Sequence, residues 1–215
     1  MKHNKIFEPY FDQIPEFLSP LFEQARHPWQ VLPLLKDFLK ANLKTKNKAL
    51  KTGDVYIDGD VFIDKGTVIE HGVMIKGPCY IGKNCRIRNS AYIRGGTFID
   101  DDCVVGHASE IKHSILMKKA ACPHFNYAGD SILGKNVNLG GGAILANLKL
   151  NKKNIKIGGV DTGLKKFGSL LGDDSQLGCN TVLNPGTLFE KNTIYSGKPL
   201  KSGFYKKDSG LKGFL

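Results

Sequence analysis

The sequence has no C-x-x-C pair, and its five cysteines, Cys79, Cys85, Cys103, Cys122 and Cys179, are an odd number. Neither a disulfide framework nor a thiolate zinc site is indicated, and a reducing compartment is the simpler setting. No run of 18 apolar residues occurs, and the opening MKHNKIFEPYFDQIPEF sets charges and prolines where a signal peptide needs an unbroken apolar stretch. A soluble, cytoplasmic protein is expected. Acidic residues are scarce, 20 against 31 basic ones, so the formal net charge is +11. That balance favours anionic partners, whether nucleic acid, membrane surface or phosphorylated small molecules, without choosing among them. At 215 residues the chain suits one full-sized domain with a small appendage, long enough to bury a core without covalent staples.

The first 50 residues differ from the rest in kind. Phe7, Phe11, Ile14, Phe17, Leu18, Leu21 and Phe22 recur at helical spacing, as do Leu32, Leu35, Phe38, Leu39 and Leu43. A helical pair is expected, with Ser19-Pro20 as cap and first-turn proline and HPWQ around Pro28 as the turn. The lysine run from Lys44 to Lys51 reads as a solvated linker. The expected division is a helical segment and linker over 1–50, a repeat domain over 51–200 and a tail over 201–215.

From residue 57 the apolar period becomes six: Ile57, Ile63, Ile69, Ile75, Ile81, Ile87, Ile93, Ile99, Val105, Ile111 and Met117 form one ladder. Two positions before most rungs stands a small or β-branched residue, such as Val61, Thr67, Cys79, Cys85, Ala91 or Cys103. A period of six fits neither a helix nor plain strand alternation, but it fits a short strand and tight turn, three of which close a triangular coil. Leu133, Leu139 and Leu145, then Leu171, Leu177, Leu183, Phe189 and Tyr195, extend the count to a little over six coils, a prism about 30 Å tall at about 4.8 Å per coil. A solenoid needs its ends covered, and the N-terminal helices and the tail after Gly197 are the available caps. The ladder breaks twice. Met117 and Leu133 are 16 residues apart where 12 would keep step, so four extra residues are expected around ACPHFNYAGD. Leu145 and Leu171 are 26 apart where 24 would, across a lysine-rich stretch. Loops leaving a rigid repeat are where binding and catalysis concentrate.

The ladder with its small residues is similar to the hexapeptide-repeat acyltransferases, a resemblance that implies a left-handed parallel β-helix and a homotrimer. More narrowly, SEIKHS, PHFNYAGDSILGKNVNLGGG and ANLKLNKKNIKI resemble the acetyltransferase domain of the bifunctional glucosamine-1-phosphate acetyltransferase/uridylyltransferase. VDTGLKKFGSLLGDDSQLGCNTVLNPGT is closer to the archaeal-type sugar-1-phosphate nucleotidylyltransferase/acetyltransferase branch. The resemblance covers about residues 55–197. It implies acetyl transfer from acetyl-CoA, as cosubstrate, to the amine of glucosamine 1-phosphate or a similar amino-sugar phosphate, by a stand-alone enzyme that requires no metal. The glycine-rich loop that opens those relatives' nucleotidyl-transfer domain is absent here, so uridylyl transfer is not expected.

Carried over residue by residue, the resemblance makes His124 the general base and Glu110 the carboxylate that supports it. An imidazole suits proton removal near neutrality. It places Arg94 and Lys112 at the sugar phosphate and Tyr127 and Asn138 at the sugar. Lys153 and Lys156 align with phosphate-facing lysines of the archaeal branch. On the CoA side it places Asn147, followed here by Leu148 where the bacterial enzyme has tyrosine, together with Gly141, Cys179 and Ser196, and the amide at Cys179 is the implied oxyanion donor. Arg94 and Lys112, 18 residues apart, should stack on one edge, a like-charge pair that calls for a bridging anion.

Three other readings compete. The same scaffold serves longer-chain acyltransferases of the lipid A type, which would use an acyl carrier protein. It also serves as a catalytically silent scaffold or regulatory subunit. The lysine-rich loop from Asn147 to Lys166 offers charge to nucleic acid, but it lacks interleaved aromatics, which argues against that partner. His107 and His113 recur at six, a spacing that does not suit zinc ligation.

Overall fold

The computed structural model describes residues 5–197 and 203–205. From Lys46 onward, strands of two to four residues stack in parallel into three sheets of nine, eight and seven strands, the faces of a left-handed β-helix of about nine turns. They are called here the first, second and third faces, in the order the chain visits them. On the first face Val61–Ile63 pairs with Cys79–Ile81, which pairs with Thr97–Ile99. Alternation along each strand turns both the rung and the residue two before it inward, so Ile63, Ile81 and Ile99 are buried together with Val61, Cys79 and Thr97. The interior of a three-sided coil is narrow, so a large rung leaves room for a small partner only. Tight corners need left-handed backbone. One corner column runs through Gly66, Asn84, Asp102, Lys119 and Asn136, with φ between +55° and +79°, mostly residue types that tolerate it.

The stretch ACPHFNYAGD is not an insertion. Ala121–His124 and Tyr127–Gly129 are strands of the second and third faces, and their Cys122 and Ala128 fill the core as rungs. The rung after Ile111 is Leu116, paired with Ile99 below and Leu133 above, and Met117 points away from the prism core. The coils here are shorter than expected: Ser114 and Ser131 are 17 positions apart, where Lys83 and Asp101 are 18. One residue is missing from each of two corners, and the frame of the ladder moves with them. At the second break Ser131 and Ser169, 38 positions apart, are neighbours, with the Ser169 N–H donating to Ser131 Oγ at 3.0 Å. More than one coil's length of chain therefore leaves at a single corner. It carries an antiparallel hairpin of Lys156–Ile157 and Val160–Asp161.

The N-terminal segment covers the flank of the solenoid rather than its end. The first face carries an outward row in register, Phe62, Tyr80, Phe98, Ile115, Ile132, Leu170, Leu188 and Phe204. Helices α1 (Ser19–Gln24) and α2 (Val31–Asn42) and the turns before them lay Phe7, Phe11, Leu18, Phe22, Leu35 and Leu39 into one cluster with the middle of that row. Phe17 stacks on Tyr80 and Phe98 at 5.5 and 6.0 Å between ring centroids. The segment is tied down by the Asp173 N–H, which donates to the Tyr10 carbonyl, and by the Asp12 N–H, which donates to Asp173 Oδ2, both at 2.8 Å. This is a second apolar core, built because a flat sheet face of aromatic and aliphatic side chains must be covered.

The solenoid also begins earlier than its ladder. Lys46–Asn47 and Leu50–Thr52, inside the lysine run read as a linker, pair with Val61–Ile63 and Val68–Glu70. Gly203–Tyr205 adds a strand beside Thr187–Phe189, while residues 198–202 and 206–215 of the tail lie outside the described residues. Strands at both ends raise the stack to about 40 Å at the usual strand spacing. Among the described residues, no helix is long and apolar enough to cross a membrane.

Candidate active site

The third face holds Tyr92–Ile93, Glu110–Lys112, Tyr127–Gly129 and Ile144–Leu145. Tyr92, Glu110, Tyr127 and Ile144 form its outward row. Arg94 Nη1 donates to Glu110 Oε1 at 2.9 Å, and Lys112 Nζ donates to Asp130 Oδ2 at 2.6 Å. The stacked cations therefore need no external anion, because each has its own carboxylate. Asp130 occupies one of the shortened corners at φ +47° and is 5% exposed. Its other oxygen, Oδ1, lies 2.9 Å from His113 Nδ1. Asn147 Nδ2 donates both to Asp130 Oδ2 and to the Tyr127 hydroxyl, the latter at 3.2 Å. Gly129 makes this convergence possible: a Cβ there would lie 2.5 Å from the Tyr127 hydroxyl and 2.6 Å from Asn147 Nδ2.

These contacts decide the charge states. Burial works against ionising Asp130, but hydrogen bonds from His113 and Lys112, the Lys112 charge and Asn147 outweigh it and hold the carboxyl below its usual range. Burial, then the nearby Glu110 and Asp130 carboxylates, push the Tyr127 phenol up, so it stays neutral. The hydrogen bond to Glu110 raises Arg94 further.

His124 stands at the other edge of this face, at the end of a second-face strand, with its side chain exposed. Its N–H donates to Asn126 Oδ1 at 3.0 Å, and its carbonyl accepts from the Gly142 N–H at 2.9 Å. Asn126 is buried and donates onward to the Gly140 carbonyl at 2.7 Å, so this asparagine fixes the corner that presents the imidazole. Among the described residues the imidazole itself makes no hydrogen bond. Gly141 lies directly over it, where a Cβ would be 3.7 Å from that of His124, and the Asn180 N–H donates to the Gly141 carbonyl one coil higher. Cys179, beside Asn180, is exposed, and exposed Ser196 abuts Gly178. Small residues thus rise in a column from His124.

The structure therefore sorts the candidates into two groups. Arg94, Glu110, Lys112, Tyr127 and Asn147 come together on the third face; His124, Gly141, Cys179 and Ser196 follow the edge between second and third. Within one chain Glu110 is paired with Arg94 and makes no hydrogen bond to His124. Asn138 is on the second face, between Ala121 and Gln176, away from Tyr127. Lys153 and Lys156 are exposed on the inserted segment. His107 and His113 turn to different partners, the Asn89 carbonyl and Asp130. Asp130 and Asn126 are additional members, and both lie inside the H-F-N-Y-A-G-D stretch that carried the resemblance.

A prism built on a six-residue repeat, with a histidine on one edge and paired charges on the adjoining face, defines a hexapeptide-repeat β-helix protein. Residues 75–206 match the family model described as the GMPPB C-terminal domain, and the chain belongs to that family. It is 36% identical to the bifunctional protein GlmU of Methanococcus vannielii over 89% of its own length and 48% of that protein. It is 40% identical to the protein of the same name from Methanocaldococcus jannaschii over 41% of its length and 22% of the relative. To the bifunctional sugar-1-phosphate nucleotidylyltransferase/acetyltransferase of Sulfurisphaera tokodaii it is 33% identical over 38% of its length and 21% of the relative. The chain thus spans less than half of each of these three relatives. Their names agree with the resemblance carried by the sequence motifs.

Proposed function

We propose that the protein is an acetyl-CoA-dependent N-acetyltransferase for glucosamine 1-phosphate or a similar amino-sugar phosphate, acting as a homotrimer. The observation that carries this reading is the exposed His124 imidazole beneath a column of small residues, beside a face where two cations are held by carboxylates.

In this reading the amine lone pair attacks the thioester carbonyl carbon while His124 takes the amine proton. The amide at Cys179 donates to the oxygen that becomes negative. Collapse expels the CoA thiolate, which takes the proton back from the imidazolium, leaving amide, free thiol and neutral histidine. No acyl-enzyme forms. Arg94 and Glu110 are partly exposed, so a sugar phosphate can compete for the guanidinium. Glu110 is then free to stabilise the imidazolium at the edge between the second and third faces. The separation of Asn138 from Tyr127 supports the trimer: a partner copy that sets its second face against this third face completes the sugar site.

The test is incubation with acetyl-CoA and glucosamine 1-phosphate, following free thiol and N-acetylated sugar together. Equal release of both is expected. Turnover only with an acyl carrier protein donor, or thiol release independent of the sugar, contradicts the reading.

A further inference from the structure

Asp130 is nine-tenths or more buried, sits at a corner one residue shorter than its ordinary counterparts, and is the common acceptor for three side chains from two separate parts of the chain. Lys112 and Asn147 share Oδ2, and His113 takes Oδ1. Lys112 comes from the coil below, and Asn147 from the start of the inserted segment. Among the described residues neither side chain has another hydrogen-bond partner except the Tyr127 hydroxyl that Asn147 reaches. The ordinary corner at Gly95 and Gly96 has one more residue than the corner at His113, whose ring lies over Gly96, where a Cβ would come within 2.6 Å of it. His113 thereby fixes Asp130 from the side away from the site.

We propose that Asp130 is the positioning residue that couples the two substrate subsites, setting Lys112 toward the sugar phosphate and Asn147 toward the acetyl thioester from one carboxylate oxygen. The proposal rests on the acetyltransferase reading. It makes the geometry of the cation that receives one substrate dependent on the same group that orients the amide receiving the other, so the two side chains respond together when Asp130 changes.

The decisive experiment is steady-state kinetics of Asp130→Asn, Asn147→Ala and the double variant, with thermal midpoints recorded for each. Asparagine tolerates the left-handed backbone, so Asp130→Asn keeps the corner while removing the charge. Expected is a rise of at least tenfold in KM for both substrates with Asp130→Asn, against a rise for acetyl-CoA alone with Asn147→Ala. In the double variant the acetyl-CoA effect should not exceed that of Asp130→Asn alone, because the two residues act as one unit. An active wild type whose Asp130→Asn variant melts earlier but keeps both KM values within twofold overturns the proposal and leaves the acetyltransferase reading standing. A wild type without acetyl transfer overturns both.

Discussion

The ammonium of Lys112 and the carboxylate of Asp130 meet at 2.6 Å across adjacent coils, with the lysine side chain 18% and the aspartate 7% exposed. An ion pair so far from solvent depends on being complete, since removing one partner leaves the other charge buried and unpaired. Asp130→Ala should therefore destabilise the fold by about 3–5 kcal/mol, read as a lowered urea midpoint. A change under 1 kcal/mol would show that water reaches the Lys112 ammonium.

The same carboxylate should leave a signature in the pH dependence of stability. Its folded pKa lies below the unfolded one, so its contribution is complete above the ordinary carboxylate value, about 3.9, and is lost as pH falls through the folded value. Below about pH 5, the gap in thermal midpoint between wild type and Asp130→Asn should close as pH falls further. A gap that widens on acidification contradicts the assignment.

Gly106 sets how closely the strand of His107 approaches the strand of His124. A Cβ at Gly106 would lie 1.6 Å from the Pro123 carbonyl oxygen, so the two strands carrying His107 and His124 approach as closely as they do only because position 106 is glycine. Gly106→Ala should cost about 1–3 kcal/mol by overpacking and lower acetyl transfer by displacing His124. Unchanged stability and turnover would mean the coils slide apart freely.

The flank cover makes a separate prediction. Leu35 is fully buried between α2 and the outward row of the first face, and Leu35→Ala should cost about 2–5 kcal/mol. The loss should be local: trypsin should cut the N-terminal segment faster while the prism stays resistant. Cleavage of both at the same rate would show that prism and cover unfold as one unit.

The prism was legible in the sequence because ten rungs from Ile57 to Ile111 keep a strict period with small residues two before them. It ceased to be legible at Leu116, Cys122 and Ala128. A ladder that requires a large aliphatic every sixth residue passes over a cysteine and an alanine, and a corner shortened by one residue shifts the frame from Leu116 to Met117 without leaving any mark in composition. The strands in the lysine run were hidden for the opposite reason, since the exposed first coil has little to bury. The outward row was present in the sequence as Phe62, Tyr80 and Phe98, each one position before a rung, and it marks the covered face. In the site, the motif located His124 and Tyr127, but Asp130 could be recognised as a hub only once Lys112, His113 and Asn147 were seen to converge on it.

His124 as the base is the claim on which the functional account rests. The most direct measurement is acetyl-CoA turnover with glucosamine 1-phosphate by His124→Ala, alongside its thermal midpoint and its affinity for CoA. The exposed side chain packs little, so the midpoint and CoA binding should match wild type while turnover falls by about 10²–10⁴-fold. Turnover within threefold of wild type in a folded, CoA-binding variant would contradict the account.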